Sequence, residues 1–168
     1  MVMKKIFTLM IVAATFAFAG CEQQSELNPD TLPLKCVISG HAYYSFVNQS
    51  GSMQNDVVVP YGTEVRILYA IPDDSGKING YAVKSVVADA LGGFRVDIGC
   101  PVGKSLKVKC ETSFESTNYV KPEGSYGYVP SAAIFFGSTT EKSVAAGSSS
   151  YFEINAGVSS NLTYPGTN

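Results

Sequence analysis

Residues 62–70 read GTEVRILYA, residues 86–99 read VVADALGGFRVDIG, and residues 105–110 read SLKVKC. In each segment apolar and polar residues alternate at every second position, which is the period of a strand with one buried face. Turn-forming Gly, Pro, Asn and Asp residues separate the segments. The apolar positions are Val65, Ile67 and Tyr69, continued by Ile71 just after the first segment, and then Phe94, Val96, Ile98, Leu106, Val108 and Cys110. This pattern predicts strands that are joined by short turns.

Similar segments lie on both sides of this region. The further predicted strands are residues 35–44, 57–59, 81–88, 132–136 and 151–156. No segment of ten residues has the period of an amphipathic helix. Short strands with frequent turns are typical of antiparallel two-sheet proteins. We therefore expect an all-β protein, an antiparallel Greek-key β-sandwich of about seven strands.

The turn before Phe94 carries a family resemblance. An aspartate at 89 can accept backbone N–H bonds, a glycine can take positive φ, and Phe94 can start the next strand pointing into the core. Residues 62–114 resemble the prealbumin-like domains related to the carboxypeptidase regulatory module, whose Asp-x-x-Gly-x-Phe element corresponds to residues 89–94. The extra glycine at 92–93 and the GCPVG loop depart from that family. The resemblance implies a prealbumin-like sandwich and leaves the function open.

The N-terminus has the composition of a signal peptide. Two lysines, Lys4 and Lys5, precede an apolar run of 13 residues, 6–18. As a helix this run would rise about 20 Å, which is less than the roughly 30 Å of a bilayer core. The residues FAGC at 18–21 resemble the lipobox of bacterial lipoproteins. The resemblance implies that Cys21 is lipidated and anchors the protein in the envelope of a Gram-negative bacterium, at the outer membrane, facing the periplasm or the surface.

The segment after the anchor is polar and contains two prolines, which is typical of a tether. Within it, Asp30-Thr31-Leu32 resembles the acceptor of some periplasmic O-glycosylation systems, so that Thr31 is a candidate glycosylation site. We expect four parts: a signal peptide at 1–20, a lipidated tether at 21–34, a sandwich domain at 35–157 and a flexible tail at 158–168.

Charge and composition exclude several functions. The leader contains two of the 12 basic residues and none of the 14 acidic ones, so the remainder carries a net charge of −4. A weakly acidic protein lacks the concentrated positive charge that nucleic acids require. The single histidine, His41, cannot build a multi-histidine metal site, and we expect it to be structural or on the surface. We predict no catalytic residues, metal or cofactor.

Three cysteines remain after Cys21, and two pairings are feasible. Cys100 and Cys110 bracket a predicted hairpin turn and would lie roughly 20 Å apart, too far for a disulfide. The pairs Cys36–Cys110 and Cys36–Cys100 stay open, and we favour Cys36–Cys110 because both residues lie within predicted strands. The alternative is three buried thiols that act as small apolar core groups.

Residues 124–140 contain no charge, and tyrosines lie there among glycines and prolines. Tyr119, Tyr126 and Tyr128 are candidate ligand contacts, because loops of this composition often present aromatic rings. The alternative is that they are half-buried loop packing. The sequence favours a non-catalytic binding module with a protein or glycan partner. A structural or assembly subunit that pairs strands with another chain, or a membrane-active oligomer, is the second hypothesis.

Overall fold

The computed structural model describes residues 32–162, which form nine strands and no helix. The strands are β1 (Leu34–Val47), β2 (Met53–Val58), β3 (Glu64–Ala70), β4 (Ala82–Val87), β5 (Gly93–Cys100), β6 (Ser105–Val120), β7 (Val129–Ser138), β8 (Lys142–Ala145) and β9 (Ser149–Asn161). The all-β prediction is confirmed, with more strands than expected. No helix in this part of the chain is long and apolar enough to cross a bilayer.

The strands form one mixed sheet in the order β2-β1-β9-β7-β6-β3-β4. In addition, β5 pairs with the first part of β1, and β8 pairs with the first part of β6. All described pairings are antiparallel except that of β1 with β9, which is parallel. The expectation of a purely antiparallel arrangement is wrong at this point. Alternation within a strand reports its buried face and carries no information on its partner's direction.

The long last strand joins two parts of the sheet. Residues 149–156 of β9 pair with β1, and residues 157–161 pair with β7. Residues 158–161, which we expected to belong to a flexible tail, are part of β9, and the rest of that predicted tail from residue 163 lies outside the described residues. The unpredicted strand β8 has four residues, too few to show a clear period.

One buried cluster contains side chains from strands that lie far apart in the sheet order. It contains side chains of β1, β5 and β9 together with side chains of β3, β6 and β8. Phe94 is 5% exposed, as the sequence predicts for a core residue at a turn-to-strand junction. The largest fully buried apolar side chains are Phe135, Phe152, Ile38, Ile67, Ile98, Leu106 and Ile154.

The turn before β5 has the hydrogen bonds that its sequence predicts. Oδ1 of Asp89 accepts the backbone N–H groups of Leu91 and Gly93, both at 2.8 Å. Gly92 between them has a φ of 77°, in the left-handed region that favours glycine. The hydrogen bond from Gly93, followed by that from Leu91, lowers the pKa of Asp89. The carboxylate therefore holds the turn that delivers Phe94 to the core.

Candidate functional site

The outward face of β1, β5 and β9 brings aromatic and polar side chains close together. On β1 the residues at even positions from Cys36 to Ala42 are buried, so His41 and its odd-numbered neighbours lie on the opposite face. In the ladder His41 lies opposite Gly93 of β5 and Glu153 of β9. We call this surface the β1–β5–β9 face and define it by Ser39, His41, Tyr43, Gly93, Arg95, Tyr151, Glu153 and Asn155.

Three rings lie in a row on this face. Nδ1 of His41 and the hydroxyl of Tyr151 are hydrogen-bonded at 2.8 Å, and their ring centroids are 6.0 Å apart. On the other side, the ring of Tyr43 stacks on His41 at 6.0 Å with an interplanar angle of 13°. Desolvation, followed by the charge of Glu153 and then Tyr43, raises the pKa of Tyr151. The Tyr151 hydroxyl therefore stays protonated at neutral pH and can donate to His41 or to a ligand.

Two open hollows of about 480 Å³ each meet at Tyr151. The first is lined by Ser39, His41, Asp89 and Arg95, among others. Gly93, which pairs with His41 in the ladder, also lines this hollow and has no side chain to fill it. The result is a shallow depression with hydroxyl, imidazole, carboxylate and guanidinium groups around it.

The second hollow lies on the opposite side of Tyr151. Its lining is Ser138, Thr139, Thr140, Lys142, Tyr151, Phe152, Glu153 and Asn155. Nζ of Lys142 donates to the backbone oxygen of Tyr151 at 2.7 Å and lies 4.7 Å from the centre of the Phe152 ring. This lysine is therefore held in place at the rim. Both hollows offer donors and acceptors close to an aromatic ring that is 48% exposed.

This surface could not be predicted from the sequence. His41, which we expected to be structural or on the surface, lies on the outward face of β1 and is hydrogen-bonded to Tyr151, 110 positions away in the chain. The signal was present as alternating outward residues, Ser-His-Tyr on β1 and Tyr-Glu-Asn on β9. Joining the two requires the parallel pairing, which the sequence does not reveal.

The three tyrosines that the sequence singled out do not belong to this face. Tyr126 is fully exposed between β6 and β7. Tyr128 is half-buried, and its ring covers Gly51 so closely that a Cβ there would lie 2.2 Å from a ring carbon. Tyr119 is half-buried on β6, opposite Pro130. The packing alternative therefore describes Tyr128, and Tyr126 is the most accessible of the three.

All three cysteines within the described residues are buried free thiols. The cysteine that lies near Cys36 across the β1–β5 ladder and affects its pKa is Cys100, so the favoured pair Cys36–Cys110 is not the pair that the structure brings together. Desolvation raises the pKa of Cys110 to about 12. Desolvation, followed by Cys36, raises the pKa of Cys100 to about 11.

Cys21 and Thr31, the predicted lipidation and glycosylation sites, lie outside the described residues. Between residues 32 and 162 no group of three or more His, Cys, Asp or Glu side chains is placed to hold a metal ion. Comparison with protein-family models, with curated proteins and with solved structures found no match.

Proposed function

We propose that this chain is the binding module of a lipid-anchored envelope protein of a Gram-negative bacterium, that it is not catalytic, and that its ligand is a glycan held on the β1–β5–β9 face. The observation that carries this proposal is the row of Tyr43, His41 and Tyr151, with two polar hollows that meet at Tyr151. The ligand contacts proposed here therefore differ from the sequence candidates Tyr119, Tyr126 and Tyr128, which lie on β6 and in the loop between β6 and β7 (the β6–β7 region).

The chemistry of the face matches that of a sugar ring. A pyranose has apolar C–H surfaces that pack on aromatic rings and hydroxyl groups that need both donors and acceptors. Tyrosine offers a large rigid ring at low cost in conformational entropy, with a hydroxyl at its end. Tyr151 provides the ring, and Arg95, Glu153 and Asn155 provide the polar groups beside it.

The polar character of the face favours a glycan over a protein partner. The centre of a protein–protein interface is depleted in charged residues and rich in apolar ones. Here the residues around the central rings are mostly polar or charged, with both signs present in Arg95, Lys142, Asp89 and Glu153. An extended sugar chain can lie along both hollows and place one ring on Tyr151.

The anchor and the architecture are further parts of the proposal. The signal-peptide pattern and the FAGC residues support lipidation at Cys21. The Asp89 turn and the buried cluster shared by β1, β5, β9, β3, β6 and β8 support a prealbumin-like sandwich, in which two layers of one chain enclose a common core.

A panel of bacterial and host polysaccharides, probed with the purified full-length Cys21→Ser variant, tests the binding function. We expect retention by at least one polysaccharide, with loss in Tyr151→Ala and no change in Tyr126→Ala. Tyr126 is the matched control because its ring is fully exposed and lies outside the face. Loss of binding in Tyr126→Ala alone would return the site to the β6–β7 region and contradict the proposal.

One observation favours the second hypothesis, an assembly subunit. Strand β4 ends the strand order. Its residues Val83 and Val87 and the preceding Tyr81 are 48%, 66% and 42% accessible. An edge strand with apolar side chains is a template for pairing with another chain. Light scattering after size exclusion separates the two hypotheses: a dimer that Val83→Lys converts to a monomer supports assembly, and a wild-type monomer argues against it.

A further inference from the structure

Two cysteines lie side by side on the buried face of β1 and β5. The ladder pairs Leu34 with Cys100 and Cys36 with Ile98, so the two cysteines are diagonal neighbours on adjacent antiparallel strands. Both are 0% exposed, and they belong to the same buried cluster. Each side chain affects the pKa of the other, which places the two thiols close together.

The proximity of the thiols matters because diagonal neighbours are at the limit of disulfide geometry. In a regular ladder such residues have Cα atoms about 7–8 Å apart, whereas a disulfide needs a separation below about 7 Å. Here the side chains are close enough for each thiol to affect the pKa of the other. Each thiol also has a carbonyl oxygen within donor distance, that of Ala145 for Cys36 at 3.2 Å and that of Lys104 for Cys100 at 3.6 Å. Closing the bond requires new side-chain rotamers and a small approach of β1 and β5 at this point.

Cys110 has a different environment. It lies on β6, opposite Ile67 of β3, and neither of the other two described cysteines contacts its thiol. We propose that Cys36 and Cys100 form a disulfide that cross-links β1 to β5 at the buried base of the β1–β5–β9 face, and that Cys110 remains a thiol.

The oxidant is a second disulfide, either a low-molecular-weight one such as glutathione disulfide or the oxidised dithiol of a folding enzyme. The Cys36 thiolate attacks it, forms a mixed disulfide and releases one thiolate. The Cys100 thiolate then attacks the Cys36 sulfur, forms the intramolecular bond and releases the second thiolate. The two protons lost by the cysteines go to the two released thiolates, so two cysteine thiols are oxidised and one external disulfide is reduced.

The exchange has to occur before the core closes. Desolvation raises the pKa of both Cys36 and Cys100 in the folded protein, and the thiolate is the reactive form. Once β1 and β5 are paired, the same burial protects the bond from reductants. The bridge is therefore a product of folding and a permanent part of the mature core.

Refolding in a glutathione buffer tests the proposal without reference to where the protein resides in the cell. The full-length Cys21→Ser variant is reduced, unfolded, refolded with reduced and oxidised glutathione, alkylated in denaturant and digested with trypsin. Cleavage after Arg66, Arg95 and Lys104 separates the three cysteines into different peptides. We expect Cys110 alone to be alkylated, and mass spectrometry to find the peptide of Cys36 linked to that of Cys100.

Two variants complete the experiment. In Cys110→Ser the Cys36–Cys100 bridge should form with no alkylated cysteine left, and in Cys100→Ser both remaining cysteines should be alkylated. Alkylation of all three cysteines in the correctly folded protein, or a Cys36–Cys110 link, would overturn the proposal. Because the wild-type cysteine set is mapped directly, a variant that fails to fold does not weaken the result.

Discussion

Replacing Gly40 with alanine should destabilise the protein strongly, because this glycine lies where β1 passes between β5 and β9. It pairs with Phe94 on one side and Phe152 on the other. A Cβ at Gly40 would lie 2.0 Å from the backbone oxygen of Phe152 and 2.6 Å from Cζ of Phe94, whereas ordinary contact begins at 3.4 Å. The ring of Phe94 could turn slightly, but the carbonyl of Phe152 can move only if the β1–β9 pairing is distorted.

The size of the effect follows from these contacts. Overpacking a core usually costs about 1–3 kcal/mol, and a clash with backbone belongs at the upper end of that range. Alanine recovers roughly 0.4–1 kcal/mol by restricting the unfolded chain. We therefore expect a net loss of about 2–3 kcal/mol, out of a typical total stability of about 5–15 kcal/mol for a domain.

Urea unfolding of wild type and variant, followed by far-UV circular dichroism, measures this loss as a lower midpoint at an unchanged slope. Gly157→Ala is the matched control. Gly157 is also in a strand, but a Cβ there meets nothing within 4 Å, and its φ is not in the left-handed region. The control should be neutral or slightly stabilising. A Gly40→Ala variant within about 0.5 kcal/mol of wild type, the range of ordinary surface substitutions, would refute the close approach of the three strands.

Three further predictions concern the core, the turn and the anchor. In urea unfolding, Phe94→Ala should lower the free energy of unfolding by on the order of 3 kcal/mol because of the cavity that it leaves. The control Leu91→Ala, at an exposed position, should lower it by less than about 0.5 kcal/mol. Equal losses of stability in the two variants would place Phe94 outside the core. Because the pKa of Asp89 is lowered on folding, its stabilising contribution is present above its unfolded pKa of about 3.9 and is lost as the pH falls through the folded value. The stability difference between wild type and Asp89→Asn should therefore shrink below about pH 4, and a constant difference down to pH 2 would contradict the role of the carboxylate. Cys21→Ser should abolish metabolic labelling with palmitate, and equal labelling of the two proteins would exclude lipidation at this residue.

Much of the strand content could be predicted because each strand carries its own periodic signal. The segments around Val65, Phe94 and Val108 became β3, β5 and β6, since their alternating residues divide between the core and the solvent. The turn at Asp89 was also predictable, because its hydrogen bonds lie within five residues of sequence. Local patterns of this kind need no knowledge of the remaining fold.

The features that depend on partners could not be predicted. Strand β6 continues to Val120 through a largely polar segment that is kept in place by pairing with β7. The parallel pairing of β1 with β9, and with it the contact of His41 and Tyr151, joins residues 110 positions apart. The position of Cys36 beside Cys100 likewise depends on the register of β1 against β5. Periodicity specifies the face of a residue, and only the register specifies its neighbours.

The most direct test of glycan binding on the β1–β5–β9 face is a nuclear magnetic resonance titration of the purified full-length Cys21→Ser variant. The ligand is an oligosaccharide prepared from the polysaccharide that retains the protein best in the binding panel. We expect the backbone amide signals with the largest shifts to be those of residues 39–43, 93–95 and 151–155. Shifts confined to residues 119–128, or no saturable shift with any retained polysaccharide, would contradict it.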